Sequence, residues 1–367
     1  MSPVATGTTS AGLYTLDDFA RVARERLDPH VWDFLDGGSG VERALAGNVA
    51  AFDRVTLRPR VLAGVGQPDT SIALLGRQWA APLAVAPMAY HTLVHADGEV
   101  ATARAAAAAG LPLVVSTFAG RAFNDIAAAG APLWLQVYCF RDRATTRSLI
   151  HHAQDSGFEA LVLTVDAPRL GKRLRDLRND FRLPPGVAPA NLAPGAFESP
   201  SGHALAEFDP ALDWSVVDWL RSVSRLPVLL KGILTADDAL RARDAGVDGI
   251  IVSNHGGRQL DCAPATLDVL PEIASAVAGT CPVLMDGGVR RGSDVLAALA
   301  LGADAVLVGR PVLYGLTVDG EAGVGEVLRV LNEELVDAMV LTGTRTVADA
   351  GRQLVDAQFR TTAIRWP

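Results

Sequence analysis

The run Ser253-Asn254-His255-Gly256-Gly257-Arg258-Gln259-Leu260-Asp261 sets an imidazole and a guanidinium three residues apart, just past the apolar stretch Gly249-Ile250-Ile251-Val252. A histidine takes up a proton near neutral pH. An arginine grips a carboxylate through two parallel hydrogen bonds. One short loop therefore offers a base and a clamp for the same small acid. The glycines between them let the backbone approach a ligand closely. Taken alone, the stretch also reads as a plain turn around a structural histidine, because Asn and Gly both tolerate positive φ. The residues that accompany it decide between the two.

Those companions stand at the ends of other apolar runs. Lys231 follows Pro227-Val228-Leu229-Leu230, and Asp166 ends Leu161-Val162-Leu163-Thr164-Val165. Charged residues are rarely buried without a partner, so two of them at matching strand ends point to a shared polar site. Asp286-Gly287-Gly288-Val289-Arg290-Arg291-Gly292 and Gly309-Arg310 close two further runs. Glycines there can expose backbone N–H groups, the arginines add charge, and a helix starting near Gly292-Ser293 would add its positive end. Together the two loops read as a phosphate site, for a substrate or a phosphate-bearing cofactor.

Eight apolar runs recur: 82–88, 111–117, 133–138, 160–166, 227–232, 249–254, 282–287 and 305–310. Most are rich in Val, Ile and Leu without polar alternation, as strands buried on both faces must be. Helical stretches separate them, at 98–109, 143–156, 235–245 and 293–301, each followed by a glycine that can end a helix. Thr235-x-x-Asp238 reads as a capping box. Eight strand–helix repeats predict a closed (β/α)8 TIM barrel, an α/β fold with its active site at the carboxyl ends of the strands. A doubly wound open sheet is the alternative, weakened because no Gly-x-Gly-x-x-Gly follows the first strand. Residues 15–62 are expected to form two or three helices ahead of the barrel. Residues 176–213, rich in Pro, Gly and Ala, read as a long loop between strands four and five, and as a lid. The expected organisation is a disordered tail over 1–13 and one domain over 14–367.

The chain has 367 residues, 33 of them basic and 41 acidic, for a net charge of −8. That balance speaks against a nucleic-acid partner, which needs a basic surface. Cys139, Cys262 and Cys281 are too scattered for a metal site or a disulfide framework. No apolar run approaches the length of a membrane span, and the first dozen residues lack the layout of a signal peptide. A cytoplasmic enzyme with no bound metal and no membrane partner is the expectation.

On the residues quoted, the chain resembles the FMN-dependent 2-hydroxy-acid oxidase and dehydrogenase family, from about Leu16 to Leu354. The 253–261 run carries the resemblance most specifically. It is supported by Asp-Gly-Gly-Val-Arg-Arg-Gly (286–292), Val-Gly-Arg-Pro (308–311), Leu-Leu-Lys-Gly-Ile (229–233) and Leu-Thr-Val-Asp-Ala-Pro-Arg-Leu-Gly-Lys-Arg (163–173). Phe-Leu-Asp-Gly-Gly-Ser-Gly (34–40) and Ala-Pro-Met-Ala-Tyr (86–90) draw it toward the hydroxymandelate oxidase branch. The resemblance implies FMN as cofactor, a small 2-hydroxy acid and O2 as reactants, and a homo-oligomer, tetrameric or octameric. It implies His255 as the base, Asp166 as its partner, Arg258 and Arg173 on the substrate carboxylate, and Tyr138 on the substrate hydroxyl. Lys231 would stand near the flavin N1 and O2, stabilising the reduced ring. Pro87, Met88, Ala89, Ser116, Gln136, Thr164 and Ser253 would line the flavin. Asp286, Gly287, Gly288, Arg290, Gly309 and Arg310 would hold ribityl and phosphate.

Two positions depart from many relatives. Phe34 replaces a tyrosine that hydrogen-bonds the carboxylate, and Phe118 stands where glycolate oxidase has a tryptophan. Both changes favour an aryl or long alkyl side chain, and Met88, Tyr90, Phe118 and the 176–213 loop are where specificity is expected to reside. Two other functions stay open: a dehydrogenase passing electrons to a quinone or a protein, and a flavin-binding protein without turnover. The absence of an apolar or basic insertion in 176–213, and Ala89 where several dehydrogenases have glycine, favour the oxidase. The full set of His255, Arg258, Asp166, Tyr138 and Lys231 favours catalysis.

Overall fold

A computed structural model describes residues 10–193, 195 and 199–356. Eight parallel strands close into a barrel. They are β1 (Leu83–Val85), β2 (Leu113–Val115), β3 (Leu133–Val137), β4 (Ala160–Thr164), β5 (Val228–Ile233), β6 (Gly249–Val252), β7 (Val283–Asp286) and β8 (Ala305–Val308). Seven lie within the apolar runs and β5 passes its run by one residue, Ile233; β8 pairs with β1 to complete the ring. The open-sheet alternative is thereby excluded.

The strands are apolar throughout because both faces are covered. Ala84, Val114, Trp134, Val162, Leu229, Ile251, Leu284 and Leu307 form a compact inner cluster, while Leu83, Val85, Leu113, Leu135, Leu161 and Leu163 belong to the larger cluster shared with the helices. A short antiparallel hairpin, Ile72–Leu74 with Arg77–Trp79, precedes β1. Its Trp79 packs against Trp134 at 5.5 Å and joins the inner cluster beside Ala160 and Ala305, the first residues of β4 and β8. The amino-terminal end of the barrel is thus plugged by tryptophan, and polar chemistry is left to the other end.

Three helices precede the hairpin: α1 (Leu16–Arg26), α2 (Pro29–Asp36) and α3 (Arg43–Asp53). Thr15 and Asp18 form a reciprocal capping box on α1, and Asp28 caps α2 ahead of Pro29. Ser10 donates from its backbone and its hydroxyl to Asp319, and Leu13 is buried, so the described part of the expected 1–13 tail is bound to the body of the protein. Residues 1–9 lie outside the described residues. At Thr235 only half of the expected capping box forms: the hydroxyl accepts from the Asp238 amide, without the reciprocal bond.

The segment between β4 and β5 is not a structureless loop. It contains helices Leu174–Arg178, Pro200–Glu207 and Ser215–Val223. Asn191 anchors one side, accepting from the Phe123 amide and donating to the Arg121 carbonyl. Phe208 anchors the other through an antiparallel bridge to Phe140, backed by the Arg143–Asp209 ion pair at 2.7 Å. No helix among the described residues is long and apolar enough to cross a membrane.

Candidate active site

The carboxyl ends of the strands open into one deep cavity, closed laterally by α2 and the β4–β5 segment. It holds about 1270 Å³ of non-atom space, its open mouth included. A drug-sized ligand takes roughly 300–1,000 Å³, so a cofactor and a small substrate fit together.

One side of the cavity handles protons. His255 Nδ1 lies 3.0 Å from Asp166 Oδ1, and its Nε2 lies 3.3 Å from the Tyr138 hydroxyl. Burial works to raise the Asp166 carboxyl, but the neighbouring His255 and Lys231 outweigh it and hold it below the usual carboxylate range. An ionised Asp166 only accepts hydrogen bonds. It therefore fixes the proton of a neutral His255 on Nδ1 and leaves the Nε2 lone pair facing Tyr138. Burial lowers the His255 pKa, Asp166 opposing and Lys231 reinforcing it, so the imidazole rests as a free base. Burial, with Asp166 nearby, raises the Tyr138 phenol and keeps it protonated. This geometry depends on Gly232: a Cβ there would come within 2.6 Å of Asp166 Cβ, and its φ of +117° is one that L side chains rarely adopt.

A second polar group lies beneath. Lys231 is 4 % exposed and Asp286 6 %. Lys231 Nζ donates to Ser253 Oγ at 2.8 Å and pairs with Asp286 Oδ2 at 3.0 Å. Ser253 Oγ in turn donates to Asp286 Oδ1 and accepts from the His255 amide. Next to it, Gln136 accepts from the Thr117 amide and the Ser116 hydroxyl and donates to Thr164 Oγ1. Pro87, Met88 and Ala89 complete this wall.

Arg173 and Arg258 stand over the Phe34 ring, at 5.9 and 5.6 Å from its centroid. The guanidinium of Arg173, a residue 8 % exposed, makes no hydrogen bond to a described residue; its nearest carboxylate, Asp176, is 3.9 Å away. Arg258 donates to the Leu35 and Gly37 carbonyls at the end of α2. Burial and the charges of Arg173 and Arg310 pull its pKa well below the arginine range. Buried, mutually repelling guanidiniums with free donors call for an anion.

The phosphate reading needs two corrections. Gly287, Gly288, Val289 and Arg290 do line the cavity, with φ of +96° and +87° at the two glycines. However, the helix that starts at Gly292 does not present its amides to the cavity. The Arg290 and Arg291 amides donate to Asp294, and the Gly292 amide donates to Glu334. The helix start on the cavity is that of Arg310–Thr342, entered through Gly309 with no side-chain cap. The Arg310 guanidinium, in turn, is bound to the carbonyls of Leu35, Gly256 and Gly37 at 3.0–3.2 Å.

The sequence reading did not single out Leu35, Leu170, Pro200, Ala204, Phe208 or Leu313, all of which line the cavity. Phe208 stacks on Tyr138 at 4.5 Å and lies 5.9 Å from Phe118, so the β4–β5 segment contributes to an aromatic wall. The two phenylalanines Phe34 and Phe181 stack at 4.4 Å, tying α2 to the same segment.

The residues present fit FMN. A buried lysine and fixed amide and hydroxyl groups suit the polar edge of the flavin ring, and an uncapped helix start with two left-handed glycines suits a phosphate. The barrel and site define a flavin-dependent oxidoreductase. Residues 23–357 match the family model described as FMN-dependent dehydrogenase, and the chain belongs to that family, with FMN as its cofactor. It is 47 % identical to 4-hydroxymandelate oxidase of Amycolatopsis orientalis over 92 % of this chain and 97 % of that one. It is 46 % identical to L-lactate oxidase of Nostoc sp. over 91 % and 95 %. The solved structure of mandelate oxidase with (S)-4-hydroxymandelic acid superposes with a TM-score of 0.89 at 46 % identity, over 94 % of this chain and 98 % of that one. The protein is an FMN-dependent oxidoreductase of the 2-hydroxy-acid oxidase class.

Proposed function

We propose that this enzyme oxidises (S)-2-hydroxy acids with an aryl side chain, of the mandelate type, to the 2-oxo acids, with O2 reduced to hydrogen peroxide. The observation that carries the aryl preference is the apolar wall of Phe34, Phe118, Tyr138 and Phe208 beside the two arginines. A methyl group or a hydrogen would leave most of that surface uncovered, whereas a phenyl ring buries it.

In this reading Arg173 and Arg258 hold the carboxylate, and Phe34 offers it no hydrogen bond. Tyr138 and His255 Nε2 receive the α-hydroxyl. His255 takes a proton from the substrate as it is oxidised, and Asp166 stabilises the imidazolium that results. FMN, when bound, accepts the two electrons. Lys231 places positive charge at the polar edge of the flavin site, held there by Ser253 and Asp286. Gly287–Arg290 and Gly309–Arg310 hold the phosphate end, the last through its backbone rather than its guanidinium. Pro200 and Ala204 bring the β4–β5 segment over the cavity as a lid.

The test is an anaerobic visible spectrum of the flavin-loaded enzyme, titrated with (S)-mandelate and then opened to air. The flavin should bleach and return quickly. Slow return would instead make it a dehydrogenase using another acceptor. Glycolate or (S)-lactate turning over faster than (S)-mandelate would refute the aryl preference.

A further inference from the structure

Four tyrosines occur in the chain, and three of them are enclosed. Enclosed phenols nearly always find a hydrogen-bond partner. Tyr138 pairs with His255, and the Tyr314 hydroxyl donates to Asp36 at 2.7 Å. Tyr90 is different. It is 2 % exposed and lines the cavity, yet its hydroxyl makes no hydrogen bond to any described residue. Burial alone raises its pKa, without a charged neighbour, so it stays a neutral donor and acceptor.

The backbone supports a purpose for this placement. Tyr90 sits at φ +56°, ψ +54°, a left-handed conformation that is costly for a bulky residue. The Tyr90 amide donates to the Phe118 carbonyl, which fixes the ring beside Phe118 at 5.9 Å. Phe118 in turn lies 5.8 Å from Tyr138. The aromatic wall therefore runs from Tyr138, the member bonded to the base, through Phe118 to Tyr90. A substrate held by its carboxylate and α-hydroxyl at one end of this wall extends its side chain along it, toward an unpaired phenol.

We propose that the Tyr90 hydroxyl recognises a hydroxyl group on the aromatic ring of the substrate, making it a specificity-determining residue for ring-hydroxylated over unsubstituted aryl 2-hydroxy acids. The inference rests on the aryl-acid reading above and adds to it a polar contact in a wall that is otherwise apolar. A pocket that pairs such a group discriminates more strongly than one that only accommodates it, because its own polar atom is left unpaired when the group is missing.

The experiment compares the parent enzyme with Tyr90→Phe, which keeps the ring and removes one oxygen. Flavin reduction by (S)-mandelate and (S)-4-hydroxymandelate is followed by anaerobic stopped flow. Binding of benzoylformate and 4-hydroxybenzoylformate is followed by perturbation of the flavin spectrum. Tyr90→Phe should lower kcat/KM for the ring-hydroxylated acid by about 3- to 10-fold relative to mandelate, with a matching loss of affinity for the hydroxylated product. Rates with mandelate should stay within about twofold, because Tyr90→Phe keeps the ring and its packing and mandelate offers the hydroxyl no partner. An unchanged ratio, or an equal loss on both acids, would overturn the role of Tyr90 and leave the aryl reading standing. Turnover of (S)-lactate with neither aryl acid reduced would overturn both. A flavin content equal to the parent's establishes that Tyr90→Phe has folded.

Discussion

The β4 side and the β8 side of the barrel mouth both present an arginine to the cavity, in opposite conditions. The Arg173 guanidinium, after β4, makes no hydrogen bond to a described residue and faces the cavity over Phe34. Arg310, after β8, binds three carbonyls and ties the end of α2 to the β6 loop. The residue type is the same, and both follow a barrel strand with a glycine close by, Gly171 and Gly309. What separates a ligand-binding arginine from a structural one is whether its donors are already taken. A guanidinium carries five N–H donors and cannot shed its proton to relieve burial; Arg310 has spent three of them on carbonyls, whereas the Arg173 guanidinium has spent none on a described residue.

The comparison can be broken most sharply at the base. His255→Gln removes the proton acceptor and should slow flavin reduction by about 10³-fold or more, read by anaerobic stopped flow. A variant reduced as fast as the parent would end the catalytic assignment. Arg173→Leu should cost about 10²–10³-fold in kcat/KM through loss of charge-assisted hydrogen bonds to the carboxylate, with Tm unchanged.

Arg310→Leu should show the reverse. Its loss leaves the Gly256 carbonyl unpaired and removes one of the two guanidiniums on the Leu35 and Gly37 carbonyls, lowering Tm by about 2–4 °C, while KM for substrate moves little. If Arg310→Leu raised KM as much as Arg173→Leu does, the distinction between the two sides would fail.

The pH profile sharpens the proton-handling side. Because burial lowers the His255 pKa, the acid limb of kcat/KM should lie below pH 6.5, the ordinary histidine value. Asp166 raises that pKa, so Asp166→Asn should push the limb to still lower pH. It should also cut the plateau by about tenfold or more, since the imidazolium loses its counter-charge. A limb moving upward would show that Asp166 does not act on His255 in this way. The smallest effect is expected at Phe34. Phe34→Tyr adds one hydroxyl near both guanidiniums and should raise kcat/KM for lactate relative to mandelate by about 3- to 10-fold.

The barrel was legible because parallel strands covered on both faces have to be largely apolar runs, and the eight runs broke that pattern only toward their carboxyl ends, as at Gln136, Lys231 and Asp286. The base, its carboxylate and the buried lysine were legible because charge at the end of such a run has few structural uses. What the sequence hid were choices made by tertiary packing. Two glycine-rich strand ends both lead into helices, and nothing local says that the Arg290, Arg291 and Gly292 amides are claimed by Asp294 and Glu334 while the start at Arg310 has no side-chain cap. The helix at Pro200–Glu207 had a cue, Ser199 ahead of Pro200, but its Pro-, Gly- and Ala-rich setting masked it. Phe208 joins the cavity only through its bridge to Phe140, a contact between residues far apart in the chain.

The β4–β5 segment is secured at Asn191 and at Phe208–Asp209, and among the described residues between those posts Pro200 and Ala204 line the cavity. Strand ends hold the reaction in place, and a replaceable strap shapes the room around the side chain. Descent with modification can therefore work on the strap alone. A lineage shifting from one hydroxy acid to another need never pass through a form whose proton transfer is impaired, which gives one barrel access to many substrates in small steps.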